Sequence, residues 1–396
     1  MPALPTSVRD LPLSGKTLFL RVDFNVPIKD GAVRDDTRVI EALPTIRLAR
    51  DKGAKILLAS HLGKAKGTPD PKYSLAPVAA TLEKHLGSPV RFAPDCVGEP
   101  ARTAAAALEP GGVLLLENTR FHSGEEKNDP GFARELASLA EIYVNDAFGT
   151  AHRAHASTTG MASHFPKDAR GVGLLIEKEL TALSRVVDEI DRPFAAILGG
   201  AKILGKIAAL EALVERADAV LIGGGMANHF VKALGLEVGA SLLEPDGVPI
   251  ARNVIDRCRN RGVSLVLPSD FAVAPSLEKA SASRVVAMNA IPPDAAAFDI
   301  GPKTLDMFRR MTAEARTIFW NGPMGVFETK PFDAGTTGVA RLLAESSGFT
   351  VVGGGESVEA VHAAGVAGKI SHVSTGGGAS LDLVSGAKLP GIEALR

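Results

Sequence analysis

Short apolar runs alternate along the chain with longer stretches in which hydrophobic and polar positions recur every three to four residues. The runs are Leu18 to Phe24, Lys55 to Ser60, Val113 to Leu116 and Ile142 to Asn145, then Ala195 to Leu198, Ala219 to Ile222, Ser264 to Leu267, Thr317 to Trp320 and Thr350 to Val352. Most are continuously apolar, as strands buried on both faces are. Between them Ala79, Leu82 and Leu86 fall on one helical face, and so do Ile207, Leu210, Leu213, Val214 and Ala217. This alternation predicts parallel sheets with helices on both sides. Leu174 to Ile190 reads as one long helix that ends before Pro193, a bridge between two halves.

The halves differ in the residues placed at their strand ends. The first offers charged and hydrogen-bonding side chains: Arg21, Asp23 and Asn25; His61 and Lys64; Asn118 and Arg120; Asp146, His152, Arg153 and His155. The second offers glycines: Gly199-Gly200 and the triplets at Gly223, Gly353 and Gly376. In open parallel sheets ligands bind beyond the carboxyl ends of the strands. One half is therefore expected to bind a small polar anion and the other a nucleotide.

Composition narrows the class. The chain has 396 residues, enough for two or three domains, and 45% hydrophobic with 22% charged residues suits a soluble protein with real cores. A net charge of −1 gives no global reason to bind nucleic acid or an acidic membrane. Two cysteines far apart, Cys96 and Cys258, speak against a disulfide framework and for a reducing cytoplasm. The opening Met1-Pro2-Ala3-Leu4-Pro5 does not read as a secretory signal, and no apolar run nears the ~20 residues that span a bilayer.

A glycine turn between strand and helix lets backbone approach an anion and presents free N–H groups to it. One such turn is as well explained by tight packing; four in one half favour phosphate binding. Gly200 to Lys206 fits G-x-x-x-x-G-K, but Ile207 comes next where a phosphate loop has Ser or Thr for Mg²⁺. Lys202 and Lys206, four apart, can still neutralise a transferring phosphoryl group, although lysines without such glycines are usually solvated. Arg21, Arg38, Arg120 and Arg153 lie at or after strand ends, and arginine binds carboxylate and phosphate bidentately. No histidine and cysteine spacing fits a zinc site.

Arg21-Val22-Asp23-Phe24-Asn25-Val26-Pro27, Ser60-His61-Leu62-Gly63, Glu117-Asn118-Thr119-Arg120-Phe121 and Asp146 to Arg153 together resemble the phosphoglycerate kinase family. So do Leu198 to Lys202, Asp299 to Thr304, Asn321 to Glu328, and Ser374 to Ser380, in order along nearly the whole chain. The resemblance implies an α/β enzyme of two Rossmann-like domains, each a parallel sheet flanked by helices, joined by a helical hinge. It implies residues 1–172 with about 376–396 returning as the phosphoglycerate domain, 173–190 as the interdomain helix, and 191–375 as the nucleotide domain. The implied reaction is reversible phosphoryl transfer from 1,3-bisphosphoglycerate to MgADP, giving 3-phosphoglycerate and ATP, in a cytoplasmic monomer with no nucleic-acid or membrane partner.

By motif position, Arg21, Asp23, Asn25, Arg38, His61, Lys64, Arg120 and Arg153 would hold the phosphoglycerate. Gly200, Lys202, Lys206, Gly224, Gly301, Asn321, Pro323, Val326, Glu328, Gly354, Gly355, Glu356 and Ser357 would hold the nucleotide, with Glu356 at the Mg²⁺. Arg38, Lys202, Gly355 and Gly377 would stabilise the transferring group. The family commonly has Arg at Lys64, Thr at His229 and Asp at Glu356; Gly205 stands at a variable position. Glu356 is one methylene longer than Asp, and Mg²⁺ tolerates little departure from octahedral geometry. It leaves an alternative: a related binding protein with weak catalysis.

Overall fold

The computed structural model describes residues 4–396; Met1 to Ala3, the start of the segment read above as lacking a signal, lie outside the described residues. The chain divides into two compact units. One contains the residues up to Thr181 together with Lys388–Arg396, and the other is Ala182–Ala387. The division falls inside the helix Leu174–Val187. That helix ends before Ile190, where Asp188 and Glu189 are exposed.

The first unit is built on a six-stranded sheet in the order Val90–Ala93, Val113–Leu116, Lys55–Ala59, Thr17–Arg21, Ile142–Asn145, Arg170–Val172. Every neighbouring pair is parallel. The four central strands lie where the apolar runs are. The two edge strands escaped the pattern because they are short or half-exposed, and only one face of each has to be apolar. The run Leu18 to Phe24 stops being strand at Arg21; Val22, Phe24 and Val26 are apolar because they enter the core. That core packs Leu18, Leu20, Ile56 and Leu58 against Val39 and Ile46 of helix Thr37–Asp51 and Leu82 of helix Ala76–Leu86.

The start of helix Leu174–Val187 is tied to the first unit by polar contacts. Asp146 Oδ1 accepts from Leu175 N at 2.9 Å and Ile176 N at 3.1 Å, and Thr45 Oγ1 accepts from Leu174 N at 2.9 Å. Gly173 has to be glycine, because a Cβ there would collide with the Asp146 carboxyl group.

The second unit has a six-stranded parallel sheet in the order Ser264–Val266, Ala219–Ile222, Phe194–Leu198, Thr317–Asn321, Phe349–Gly353, His372–Val373. Its core gathers Ile197, Leu221, Ile318, Trp320 and Val352 with Phe308, Val339, Leu343 and Val361. The helix Gly378–Val384 stays with this unit, where the Arg216 guanidinium donates to Val384 O, and the chain re-enters the first unit at Lys388. A three-stranded antiparallel sheet, Arg284–Ala287, Asp270–Ala274, Ala296–Ile300, was not foreseen. Arg284–Ala287 is largely exposed and the other two strands are alanine-rich, so no continuous apolar run marks them. Among the described residues no helix is long and apolar enough to cross a membrane.

Asp299 joins this small sheet to the helix Ala334–Glu345. Its carboxylate accepts from Ile300 N at 2.9 Å and Gly335 N at 2.7 Å, and Gly325 packs directly on it. Burial pushes its pKa up to about 8, against the lowering effect of those two amides. The folded state therefore holds a proton that the unfolded chain has released. Stability from this group is complete below pH ~4 and is lost as pH rises through about 8. Thermal melts at pH 5 and pH 9 are expected to show a smaller fall in Tm for Asp299→Asn than for the unaltered chain; equal slopes would refute the assignment.

Candidate functional site

Register aligns the strand ends. In the first unit Arg21 pairs with Ala59 on one side and Asn145 on the other, and Leu58 pairs with Leu115. The segments after these strands, which carry Asp23, His61, Arg120 and Arg153, leave from one edge. In the second unit Ile222 pairs with Leu198, Leu198 with Asn321, and Asn321 with Gly353. The glycine turns likewise leave from one edge.

The first edge is a buried cationic cluster. Arg21 is fully buried; its Nε donates to Ser157 Oγ at 2.8 Å and its Nη1 to Val22 O. Ser157 Oγ in turn donates to Glu125 Oε1 at 2.5 Å, and its N–H to Glu125 Oε2 at 3.0 Å. Glu125, also fully buried, offsets the Arg21 charge through one hydroxyl. Arg21 Nη2 lies 3.3 Å from His61 Nδ1. A guanidinium only donates, so Nδ1 accepts and the His61 proton sits on Nε2. Burial first, then the charges of Arg21, Arg120 and Arg38 hold the His61 pKa well below its usual value. His61 is neutral, so the 3.9 Å approach of Asp23 Oδ1 to Nδ1 is no ion pair. His155 is similar: burial and then Arg120 and Arg21 bring it down to about 4.

Asp23 accepts from Arg38 Nη1 at 2.9 Å, and Asn25 Oδ1 accepts from Gly63 N at 2.9 Å. Arg120 is 4% exposed and donates from Nη1 to Gly63 O at 2.8 Å. Among the described residues its Nη2 has no hydrogen-bond partner, and its Nε approaches Glu126 Oε1 at 3.1 Å without hydrogen-bond alignment. Buried guanidinium nitrogens with donors to spare are suited to an anion. Asn118 braces the edge from within, accepting from Leu62 N and Arg120 N and donating to Leu62 O and Tyr73 O. Arg153 and Lys64 are exposed; Arg153 Nε lies 3.3 Å from His152 Nε2, and Lys64 lines a surface cavity of about 570 Å³ with Lys66 and Lys72. Glu125 and Ser157 had no sequence signal, because neither lies at a strand end.

On the second edge the glycines separate into two kinds. Gly199, Gly200 and Gly224 knit neighbouring turns together. Gly200 N donates to Pro323 O at 2.7 Å, Gly224 N to Met324 O at 3.0 Å, and Met226 N to Gly200 O at 3.0 Å. A Cβ at Gly199 would collide with Pro323 O, and one at Gly224 would lie 2.6 Å from Gly200 N. By contrast, nothing among the described residues lies within 4 Å of where a Cβ would stand at Gly355 or Gly377. Gly355 opens the helix Gly355–Ala363, and Gly354 precedes it at φ +90° with no side-chain cap. The first N–H groups of a helix have no intrahelical partner, so this start is open to an anion.

The two lysines behave differently. Lys202 is exposed, whereas Lys206 Nζ donates to Gly199 O and Asn321 Oδ1, each at 2.8 Å. Burial brings Lys206 down to about 8, against the attraction of Glu356. Ser357 is buried and its hydroxyl accepts from Gly322 N at 2.6 Å, while Trp320 Nε1 donates to Gly322 O at 2.8 Å. The Gly301 helix start is closed by the chain itself: Lys303 N and Thr304 N both donate to the Asp270 carboxylate. Pro323 is buried, Val326 partly so, and Glu328 and Glu356 are exposed.

Glu356, in the first turn of helix Gly355–Ala363, offers a hard oxygen donor of the kind Mg²⁺ takes alongside water and phosphate oxygens. Asp95, Cys96 and His122 also bring ligand atoms within 4.8 Å of one another. There Asp95 Oδ1 already accepts from His122 Nε2 at 2.7 Å and Cys96 N at 2.6 Å, and burial raises the Cys96 thiol well above its usual pKa. Those contacts account for the group without a metal.

The sequence profile described as Phosphoglycerate kinase matches residues 8–387. The chain is 51% identical over 389 residues to the phosphoglycerate kinase of Pelotomaculum thermopropionicum, covering 98% of each. It is 52% identical over 389 residues to that of Moorella thermoacetica, again covering 98% of each. Its fold is similar to the structure of phosphoglycerate kinase from Coxiella burnetii, with TM-score 0.89, 38% identity and 98% of both chains covered. For the crystal structure from Pyrococcus horikoshii the TM-score is 0.86, with 34% identity over 99% of this chain and 98% of that one.

The two kinds of glycine give opposite expectations. Gly199→Ala forces a methyl group into a neighbouring carbonyl and should destabilise the chain by about 1–3 kcal/mol or more, as overpacking does. Gly355→Ala meets open space and should leave denaturant midpoints nearly unchanged. Equal losses from the two substitutions would show that both turns are packing devices.

Proposed function

Because the chain belongs to the phosphoglycerate kinase family and is a phosphotransferase, we propose that its two strand edges hold the two substrates of that reaction. The first unit would bind 3-phosphoglycerate or 1,3-bisphosphoglycerate at Arg21, Asp23, Asn25, Arg38, His61, Lys64, Arg120 and Arg153. The second would bind ADP or ATP: the Gly223 turn toward base and sugar with Pro323, Val326 and Glu328, and the Gly353 turn toward the phosphates. Gly301 and Ser357 enter that set as supports, since their polar groups are spent on Asp270 and Gly322. The observation that carries the reading is the buried Arg120 guanidinium, whose Nη2 is unpartnered among the described residues and whose charge is felt by His61.

In the direction of ATP synthesis, a terminal β-phosphate oxygen of ADP attacks phosphorus of the acyl phosphate in line. The bond to the carboxyl oxygen breaks, and the carboxylate leaves with the electron pair. No proton moves, because the carboxylate (pKa ~4) and the diphosphate oxygen are both ionised at neutral pH. A general base is not required, which agrees with His61 and His155 being buried and held neutral. The work left to the protein is alignment and charge neutralisation. Lys202 and Arg38 supply cations to the transferring group, and the amides at Gly355 and Gly377 supply donors. Mg²⁺, held through Glu356 and the nucleotide phosphates, would add charge neutralisation when bound. Transfer requires acceptor and phosphorus to meet, which we assign to closure about helix Leu174–Val187.

Purified protein is expected to form ATP from 1,3-bisphosphoglycerate and MgADP, and no turnover at any Mg²⁺ level would refute the reading. Arg120→Ala should lower kcat/KM for 3-phosphoglycerate about 100-fold, the scale of a lost charge-assisted pair, while nucleotide affinity stays unchanged. Glu356 is exposed at an open helix start, so its extra methylene has room. Glu356→Asp should change kcat by less than about threefold; a sharp rise would favour the weak-catalyst alternative.

A further inference from the structure

His229, one of the departures from the family pattern, lies at one end of a hydrogen-bonded chain that leads to Lys202. The loop after Gly200 carries Lys202 and then turns through the short 3-10 helix Leu204–Lys206 into helix Ile207–Arg216. The amides at the start of that turn need partners from outside it. Both find the same one: Ile203 N donates to Glu244 Oε2 at 2.9 Å, and Leu204 N to the same oxygen at 3.3 Å. One carboxylate oxygen thus fixes the two residues next after Lys202.

Glu244 is fixed in its turn. Its own N–H donates to His229 Nε2 at 2.8 Å. A ring nitrogen that accepts carries no proton, so the proton sits on Nδ1, which donates to Met226 O at 3.1 Å. His229 is therefore a neutral imidazole in one tautomer, and its 3.8 Å separation from Glu244 Oε2 is not a charge pair. The ring is completely buried in helix Ala227–Ala233. Gly247 lies so close that a Cβ there would collide with the ring and would sit 2.6 Å from Ile203 Cγ2. Ring, carboxylate and loop are packed as one block, and Met226 N donates back to Gly200 O at the other end of the loop.

We propose that Glu244 is a positioning residue for phosphoryl transfer: its carboxylate sets the Lys202 loop, and His229 sets the carboxylate. The proposal rests on Lys202 stabilising the transferring group. Lysine is a point charge on a flexible four-carbon stem, so where its backbone is anchored decides where the charge can reach. Misplacement of a group by about 1 Å can cost on the order of 100-fold in rate.

The test is a double-mutant cycle with steady-state kinetics and amide hydrogen exchange on the full chain. Lys202→Met should lower kcat strongly. Glu244→Ala should lower kcat about 10- to 100-fold with KM for 3-phosphoglycerate unchanged, and should speed exchange at Ile203 and Leu204. Combined with Lys202→Met it should cost little more than Lys202→Met alone. Glu244→Gln keeps an acceptor oxygen and should recover most of kcat. His229→Phe keeps the ring volume, removes the acceptor and should reproduce the Glu244→Ala profile in weaker form. If Lys202→Met leaves kcat intact, the reading of Lys202 fails. If Lys202→Met is impaired while Glu244→Ala is not, or their effects add, the positioning role alone fails. A Glu244→Gln variant that exchanges slowly yet stays as slow in turnover as Glu244→Ala also overturns it, and unchanged kcat in His229→Phe removes the histidine from the chain.

Discussion

A parallel sheet sends every strand out at the same edge, and that constraint organises both units. Because Arg21 pairs with Ala59 and Asn145, the residues beyond three separate strands become neighbours without any contact having to be arranged loop by loop. The same register in the second unit sets Gly199, Gly223, Gly322 and Gly354 side by side. The loops then hold one another through backbone groups, and only the groups left over remain free for other partners. In the second unit those leftovers are few: the strand-end glycines Gly199, Gly223, Gly224 and Gly322 are explained by packing, whereas Gly355 and Gly377 stand beside open space.

Charge is handled differently at the two edges. Arg21 is buried with its counter-charge one hydroxyl away, through Ser157 to Glu125. This keeps a guanidinium in a dry place with its counter-charge near but not in contact. The nearby histidines stay neutral, first because they are buried and then because a further positive charge beside the arginines is unfavourable. Lys206 solves the same problem with carbonyl oxygens from Gly199 and Asn321, and loses part of its basicity in doing so.

Much of this was legible from the order of residues. The central strands of both sheets coincide with apolar runs because a strand covered on both faces has no polar position to spare. The edge strand Val90–Ala93 was invisible because it is half-exposed and charge interrupts it, and the antiparallel sheet around Asp270 because alanine and exposed positions break its apolar runs. The strand-end residues Arg21, His61, Arg120 and Asn321 stood out as candidates because a buried polar group at the end of a parallel strand has few structural excuses, and the fold does bury all four there. Glu125, Ser157 and Glu244 did not. Each acts on a residue remote in sequence, and a carboxylate in a polar loop looks like any solvated surface acid until its partner is seen. Lys202 and Lys206 show the converse, since as neighbouring cations they looked alike and the fold half-buries only Lys206.

The chain contains a single tryptophan, Trp320, fully buried in the central strand of the second sheet. Its indole N–H is bonded to Gly322 O, in the turn whose own N–H is held by Ser357 at the start of the Gly355 helix. The emission of this one fluorophore therefore reports on one place. A rearrangement that moves Gly322 changes the hydrogen bond at the indole, so the protein carries a built-in optical probe of its second strand edge, with no other tryptophan to obscure it.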